Sequence, residues 1–203
     1  MTLGQTVTNL DADAVEHDRG LMAAAQRDPT AFSALYRRHL NRVYRYFRYR
    51  VGNEEDAQDL TTQTFMAALE SLQSYRSEGT VAAWLLGIAH HKFVDWQRKM
   101  QPTVSLDAAV TVPDVTQLPD EQVAHHLDRE TLEQTLLTLA PERAEAIALR
   151  YFGDLSNREV AALMGKNEAA VKMLIHRGLQ DLRLRCAPQF ESAYAFTKEE
   201  QPI

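Results

Sequence analysis

Apolar positions recur every three to four residues along most of this chain, and no stretch shows the period of two that a strand requires. Between Thr30 and Val51 the stripe is Phe32, Leu35, Tyr36, Leu40, Val43, Tyr44 and Phe47, which predicts a helix opened by a Thr cap and broken by Gly52 and Asn53. Ala57, Leu60, Thr64, Ala68 and Leu72 predict a second helix from Glu54 to Leu72. Tyr75 to Thr80, with Ser77 and Gly79, reads as a loop. A third long helix is predicted over Val81 to Met100, carrying Trp84, Leu85, Ile88, Phe93 and Trp96. The pattern then lapses. From Gln101 to about Glu121, Pro102, Pro113 and Pro119 interrupt small and β-branched residues, the composition of a linker. Helical spacing resumes over Val123 to Leu139, and again from Pro141, a residue tolerated in a first turn, through Ala144, Ile147, Ala148 and Tyr151.

The expected class is therefore all-α, two small helical domains joined by a flexible linker. The boundaries are a mobile acidic extension at 1–18, a first domain at 19–100, a linker at 101–126, a second domain at 127–186 and a fraying tail at 187–203.

The most specific stretch is Leu155 to Arg185. Ser156 and Glu159 have capping-box spacing, in which the serine oxygen accepts an amide of the first turn and the glutamate reaches back to the cap. Val160, Ala161, Leu163 and Met164 line one face of a helix about two turns long. Gly165 supplies a left-handed stop, and Asn167 caps a second helix with Glu168 in its first turn. Val171, Leu174, Ile175, Gly178, Leu179 and Leu182 fall on one side, leaving Lys172, Met173, His176 and Arg177 to face outward. A helix, a short turn containing glycine and a second helix with a basic outer face form a helix-turn-helix pattern. An ordinary helical hairpin inside a larger core would share this pattern.

Charge changes the picture. The 203 residues carry a formal net charge of −6, which argues against a free-standing nucleic-acid binder. The distribution is uneven: Asp11, Asp13, Glu16 and Asp18 load the start with acid. Arg37, Arg38, Arg42, Arg45, Arg48 and Arg50 follow with no acid among them. Local basic faces on an acidic protein suit a DNA reader that is delivered by a partner. One cysteine, Cys186, excludes an internal disulfide and fits a reducing cytoplasm. The start of the chain lacks a basic segment followed by an apolar one, and no apolar run reaches the ~18 residues of a bilayer span. Neither a secretory signal nor membrane insertion is expected.

Catalytic signatures are missing: there is no Gly-rich phosphate loop, nucleophile elbow or metalloprotease helix, so an enzyme is not expected. His90–His91 and His125–His126 are adjacent pairs, which point about 100° apart on a helix and cannot close on one ion. No metal and no cofactor are expected. Asp56, Asp59 and Gln63 share one face of the second helix, opposite its apolar stripe; such a face is either a docking surface or simply solvated. The third helix places Trp84 near its start and Lys92, Gln97, Arg98 and Lys99 later. Rings beside cations suit single-stranded DNA, although both tryptophans would equally suit a core.

Three motifs in order, DAQDLTTQTF from Asp56, AAWLLGIAHHKFVDWQRK from Ala82, and LAPERAEAIALRYFGDLSNREVAALMG from Leu139 followed by VKMLIHRGL, resemble the extracytoplasmic-function sigma factors of the sigma-70 family. The resemblance covers Asp18–Met100 as sigma region 2 and Glu130–Arg185 as sigma region 4, roughly two thirds of the chain. It implies that Asp56, Asp59, Gln63 and Phe65 dock on core RNA polymerase, through its beta and beta-prime subunits. It implies that Tyr75, Arg76, Trp84, His91, Lys92 and Arg98 capture the −10 strand of promoter DNA. Lys172, Met173, His176 and Arg177 would read the −35 element. An anti-sigma factor is a further implied partner. Thr62-Gln63 stands where the family usually has Gln-Glu, His91 where Asn is common, and Leu174 where an Arg often contacts DNA. The alternative is a stand-alone helix-turn-helix regulator whose first domain senses a ligand or dimerises.

Geometry permits the first reading. Two promoter elements about two and a half helical turns apart lie roughly 85–90 Å from centre to centre. Domains ~25 Å across leave about 60 Å, and a linker of some 20–25 residues reaches at most about 80 Å.

Overall fold

The computed structural model describes the backbone of residues 3–76, 79–100 and 132–196, and the side chains of 13–76, 79–100 and 132–186. Every regular element among them is helical: α1 (Leu3–Arg27), α2 (Phe32–Val51), α3 (Glu54–Glu70) and α4 (Val81–Met100) come first. A short α5 over 132–137 follows, then α6 (Pro141–Ile147), α7 (Asn157–Met164) and α8 (Glu168–Phe196). The expected linker at 101–126 lies outside the described residues, as do most of the helix expected from Val123 and the pair His125–His126.

The helix starts follow side-chain chemistry. Asp28, not Thr30, opens the segment that leads into α2: its Oδ1 accepts from the Thr30 amide at 2.9 Å, and Pro29 fills the first position of a short 3₁₀ turn. Asn53 caps α3 by accepting from the Asp56 amide at 2.8 Å, and Glu54, Glu55 and Asp56 face the positive end of its dipole. Gly52 ends α2 at φ 80°. α1 continues through residue 18, where the chain was expected to be a loose extension. Met22 and Ala25 are in the core, and Gln26 Nε2 donates to the carbonyls of Leu72 and Tyr75, at 3.1 and 3.3 Å. That bond ties the end of α1 to the loop before α4.

α6 does not simply stop. Residues Ala148–Phe152 widen into a π turn closed by a 2.9 Å bond from the Gly153 amide to the Ala148 carbonyl. The widening delivers Phe152 onto Tyr49 of α2, with rings stacked 3.7 Å apart. The two domains thus share one core. Tyr46, Phe47, Leu85, Leu86 and Phe93 from the first meet Ala146, Ala148, Leu149, Leu155 and Val160 from the second.

A polar cluster is sealed between α1 and α2. His39 is fully buried; its Nε2 lies 3.2 Å from Asp18 Oδ2, and Arg42 donates to its Nδ1 at 3.0 Å. An arginine can donate to that nitrogen only if it carries a lone pair, so the imidazole is neutral with its proton on Nε2, the nitrogen beside Asp18. Burial pushes its pKa down, Asp18 opposes, Arg42 and Arg38 add to the depression, and the net value is about 4. The unfolded chain, with its histidine near 6.5, therefore binds more protons than the folded one between these values, and stability falls as pH falls through that window. Urea unfolding at neutral pH and at about pH 4.5 is expected to show a loss approaching 3 kcal/mol from this group. His39→Gln should reduce that dependence, and an unchanged slope would count against the buried neutral imidazole.

Candidate DNA-binding and docking surfaces

The helix-turn-helix is built as its capping chemistry requires. The Glu159 amide donates to Ser156 Oγ at 3.3 Å, and Glu159 Oε2 accepts from the Ser156 amide at 2.9 Å, closing the box at the start of α7. Gly165 stops α7 in the left-handed region at φ 62°. Asn167 Oδ1 accepts from the Ala170 amide at 2.7 Å and starts α8. The inward row of α8 is Val171, Ile175, Gly178 and Leu182. Gly178 marks the crossing with α6, since a Cβ there would stand 2.6 Å from Ile147 Cδ1. Leu179, expected inward, is 38% exposed because the Gly178 contact fixes the rotation of the helix. An Arg143–Asp181 ion pair and a 2.8 Å Lys166–Glu142 pair hold α6 to the reading unit.

Lys172, Met173, His176 and Arg177 all emerge on the outer face. Lys172 pairs with Glu168 at 2.9 Å, one turn earlier. α8 itself continues to Phe196, past the point where the tail was expected to fray.

A second surface gathers around the loop before α4. Tyr75 is 8% exposed and meets Trp84 edge to face, with centroids 5.2 Å apart. With Arg76 and Gly79 they line a cleft of about 340 Å³ whose opposite wall is Glu159, Ala162 and Leu163 of α7. Trp84, His91 and Arg98 stand seven residues apart and form one stripe along α4, about 10 Å per step. Lys92 is half-buried beside that stripe, and Arg98 is exposed with Asp95 3.4 Å away. Thr80 Oγ1 caps α4 by accepting the Ala83 amide at 3.1 Å, and it donates to Glu159 Oε1 across the cleft. Burial would raise the Glu159 pKa, but the hydrogen bonds from Thr80 and Ser156 hold it below the ordinary carboxylate value.

The third surface is on α3. Asp59 is exposed, Asp56 and Gln63 are half-exposed, and Gln63 Nε2 donates to Asp59 Oδ2 at 2.6 Å. Phe65 does not join them. It is 4% exposed, edge-on to Tyr36 and Phe32, because six residues on from Asp59 lie about 240° around the helix. Met66 at 58% and Leu69 at 44% are the apolar groups that α3 presents to solvent. Sequence reading missed them because an exposed apolar residue off the main stripe carries no periodic signal.

Sequence reading also missed Glu145. It is 5% exposed, and its Oε1 accepts from Tyr46 Oη at 2.9 Å and from His90 Nδ1 at 2.8 Å. Arg50 pairs with its Oε2 at 3.1 Å. Burial alone would raise the Glu145 pKa; the His90 bond, the Arg50 charge and the Tyr46 bond outweigh it and hold the carboxyl below its ordinary value. Burial pushes the Tyr46 phenol well up, so it remains a neutral donor. The one available signal was a lone acid inside the run Ala144–Leu149, all otherwise apolar. His90 and His91 diverge, with ring centroids 6.0 Å apart. Among the described residues no three potential metal ligands converge, and no helix is long and apolar enough to cross a membrane.

These three surfaces can be set beside known proteins. Residues 35–103 match the family model of sigma-70 region 2, and residues 129–182 match that of sigma-70 region 4. YlaC, an RNA polymerase sigma factor of Bacillus subtilis, is 33% identical over 153 residues, covering 73% of this chain and 88% of the relative. BldN, an extracytoplasmic-function (ECF) sigma factor of Streptomyces coelicolor, is 31% identical over 175 residues, 85% of this chain and 66% of the relative, so the chain spans just under two thirds of that protein's length. Among solved structures, CnrH in complex with the cytosolic domain of CnrY aligns with a TM-score of 0.63 and 26% identity, covering 82% of this chain and 95% of that one. The sigma factor RpoE, in complex with the anti-sigma factor NepR from Bartonella quintana, aligns at 0.61 and 20% identity over 77% and 96% of the two chains, a likeness of fold. With both modules matched in order and a relative of one-third identity nearly spanned, the chain belongs to the sigma-70 family as an ECF RNA polymerase sigma factor.

Proposed function

We propose that the protein is a non-enzymatic initiation subunit that directs core RNA polymerase to promoters, reading the −35 element with α8 and capturing the −10 strand with region 2. The observation that carries this is the pairing, in one chain, of a capped helix-turn-helix with a Tyr75–Trp84 aromatic pair at the loop before α4. A duplex reader and a base-stacking site together are what recognition plus melting need. In this reading Lys172, Met173, His176 and Arg177 contact the major groove and its phosphates. Tyr75, Arg76 and Trp84 hold unstacked bases, and His91, Lys92 and Arg98 track the backbone of the same strand. Action on promoter DNA places the protein in the cytoplasm.

The polymerase-docking face is α3, with Asp56, Asp59 and Gln63 as polar contacts. Met66 and Leu69 add the apolar contact, while Phe65 supports the helix from behind. An anti-sigma partner is supported by the complexes in which CnrH and RpoE are found. The stand-alone regulator has no observation in its favour that the sigma reading lacks.

Run-off transcription with purified core polymerase tests the reading directly, since a stand-alone regulator would yield no promoter-dependent transcript. Arg177→Ala is expected to weaken promoter binding and reduce the slope of log affinity against log salt by about one; an unaltered slope at full initiation would remove it from the −35 contacts. At α3, Met66→Asp should lower affinity for core polymerase while leaving the unfolding midpoint within ~0.5 kcal/mol of wild type. Phe65→Ala should instead cost roughly 3–5 kcal/mol of stability. The opposite pattern would exchange their roles.

A further inference from the structure

The loop before α4 is tied to the last turn of α1 by an exchange of amide bonds. The last four carbonyls of a helix have no partner within it. In α1 the Ala24 carbonyl is taken by the Asp28 amide at 2.9 Å, where the chain turns away. The Gln26 carbonyl takes its donor from the loop instead, the Gln73 Nε2 at 2.7 Å. In return, the Gln26 side chain serves the loop. Its Nε2 carries two hydrogens, and it reaches the Leu72 carbonyl at 3.1 Å and the Tyr75 carbonyl at 3.3 Å. Two glutamines 47 positions apart thus bond each other's segments in both directions.

The two carbonyls that Gln26 holds bracket a change of direction. The 3₁₀ turn Leu72–Ser74 gives way at Tyr75 to extended backbone, at φ −62° and ψ 125°. Bonds within the loop are local: Ser74 Oγ donates to the Ser71 carbonyl at 2.7 Å, and the Tyr75 amide to the Leu72 carbonyl at 3.4 Å. They fold the loop on itself, whereas Gln26 refers it to α1, whose Met22 and Ala25 are fixed in the core. The Tyr75 carbonyl belongs to the peptide that joins Tyr75 to Arg76, so its direction sets how Arg76 leaves the turn. Gln26 itself does not line the cleft of Tyr75, Arg76 and Trp84.

We infer that Gln26 is a positioning residue for strand capture. From α1, its amide holds the Tyr75–Arg76 peptide in the orientation that presents both side chains to an unstacked base. A loop shaped in advance spares the strand the cost of ordering it on binding. The inference rests on the assignment of Tyr75, Arg76 and Trp84 to the −10 strand.

Gln26→Met tests it, because methionine keeps the length and helix propensity of the side chain and removes only the donor. The holoenzyme, full-length chain with core polymerase, is titrated with a fluorescent oligonucleotide of the non-template −10 strand from a promoter that the wild type initiates. Gln26→Met should bind it about tenfold more weakly, the loss expected when the competent loop falls to roughly 10% of the population. Affinity for core polymerase and for a duplex carrying only the −35 element should match wild type. Replacing each base of the strand in turn by an abasic residue identifies the position that matters most to wild type. On that strand the gap between the two proteins should narrow to less than about threefold, since no base remains to be presented.

Equal strand affinity of Gln26→Met and wild type, with Arg76→Ala weakened, overturns the proposal and leaves the −10 reading standing. A loss shared by the strand, the −35 duplex and core polymerase also overturns it, as does the same factor on every abasic strand, because a general structural role would give either. If Arg76→Ala and Tyr75→Leu both bind the strand as wild type does, the −10 assignment of the cleft fails, and the role given to Gln26 fails with it.

Discussion

Glu145 fixes the relation between the two halves of this protein. Removing a carboxylate from water costs several kcal/mol unless it is paired, and here the pairing groups come from region 2: Tyr46 and His90 bond Oε1, and the Arg50 guanidinium lies beside Oε2. The geometry admits little variation. Tyr46 is wholly buried and kept neutral, and Arg50 lies over the Phe93 ring at 4.3 Å, so its guanidinium is braced before the carboxylate arrives. Because Glu145 sits in the middle of α6, seating it fixes α6 on α2 and α4. The π turn then places Phe152 on Tyr49, and the next residues lead into α7 against the cleft. The positions of the reading helices relative to region 2 follow from one buried acid.

The interface between the regions is mixed in composition. Its apolar part is the shared core, in which Tyr46, Phe47, Leu86 and Phe93 meet Ala146, Leu149 and Val160, with the Tyr49–Phe152 stack beside it. Its polar part pairs Glu133, Glu145 and Asp154 with Arg48, Arg50 and Arg42. Close approaches at Gly87 and Gly153, where a leucine of the opposite region fills the space a Cβ would occupy, give the packing a definite register.

Local chemistry was legible in the sequence where it depends on neighbours along the chain. The capping box at Ser156–Glu159, the stop at Gly165 and the cap at Asn167 are i to i+3 relations, and they stand in the structure as read. The stripe of α3, from Ala57 through Ala68, is likewise buried as its spacing requires. What lay hidden depends on partners distant in sequence. Six arginines without an intervening acid look like a DNA-facing surface until Asp154, Glu133 and Glu145 come from about a hundred residues away to pair with three of them, Arg42, Arg48 and Arg50. Phe65 belongs to a family motif, yet its rotation about α3 turns it inward; Met66 beside it faces out. Glu159 reads as a cap and is one, but its second oxygen also reaches Thr80, a contact no local pattern encodes.

On the outer face of α3, the proposed docking surface, Asp59, Gln63 and Met66 are exposed or half-exposed, and Lys172, Met173, His176 and Arg177 of α8 are exposed, so of the three proposed surfaces only the Tyr75–Trp84 cleft is walled by the other region.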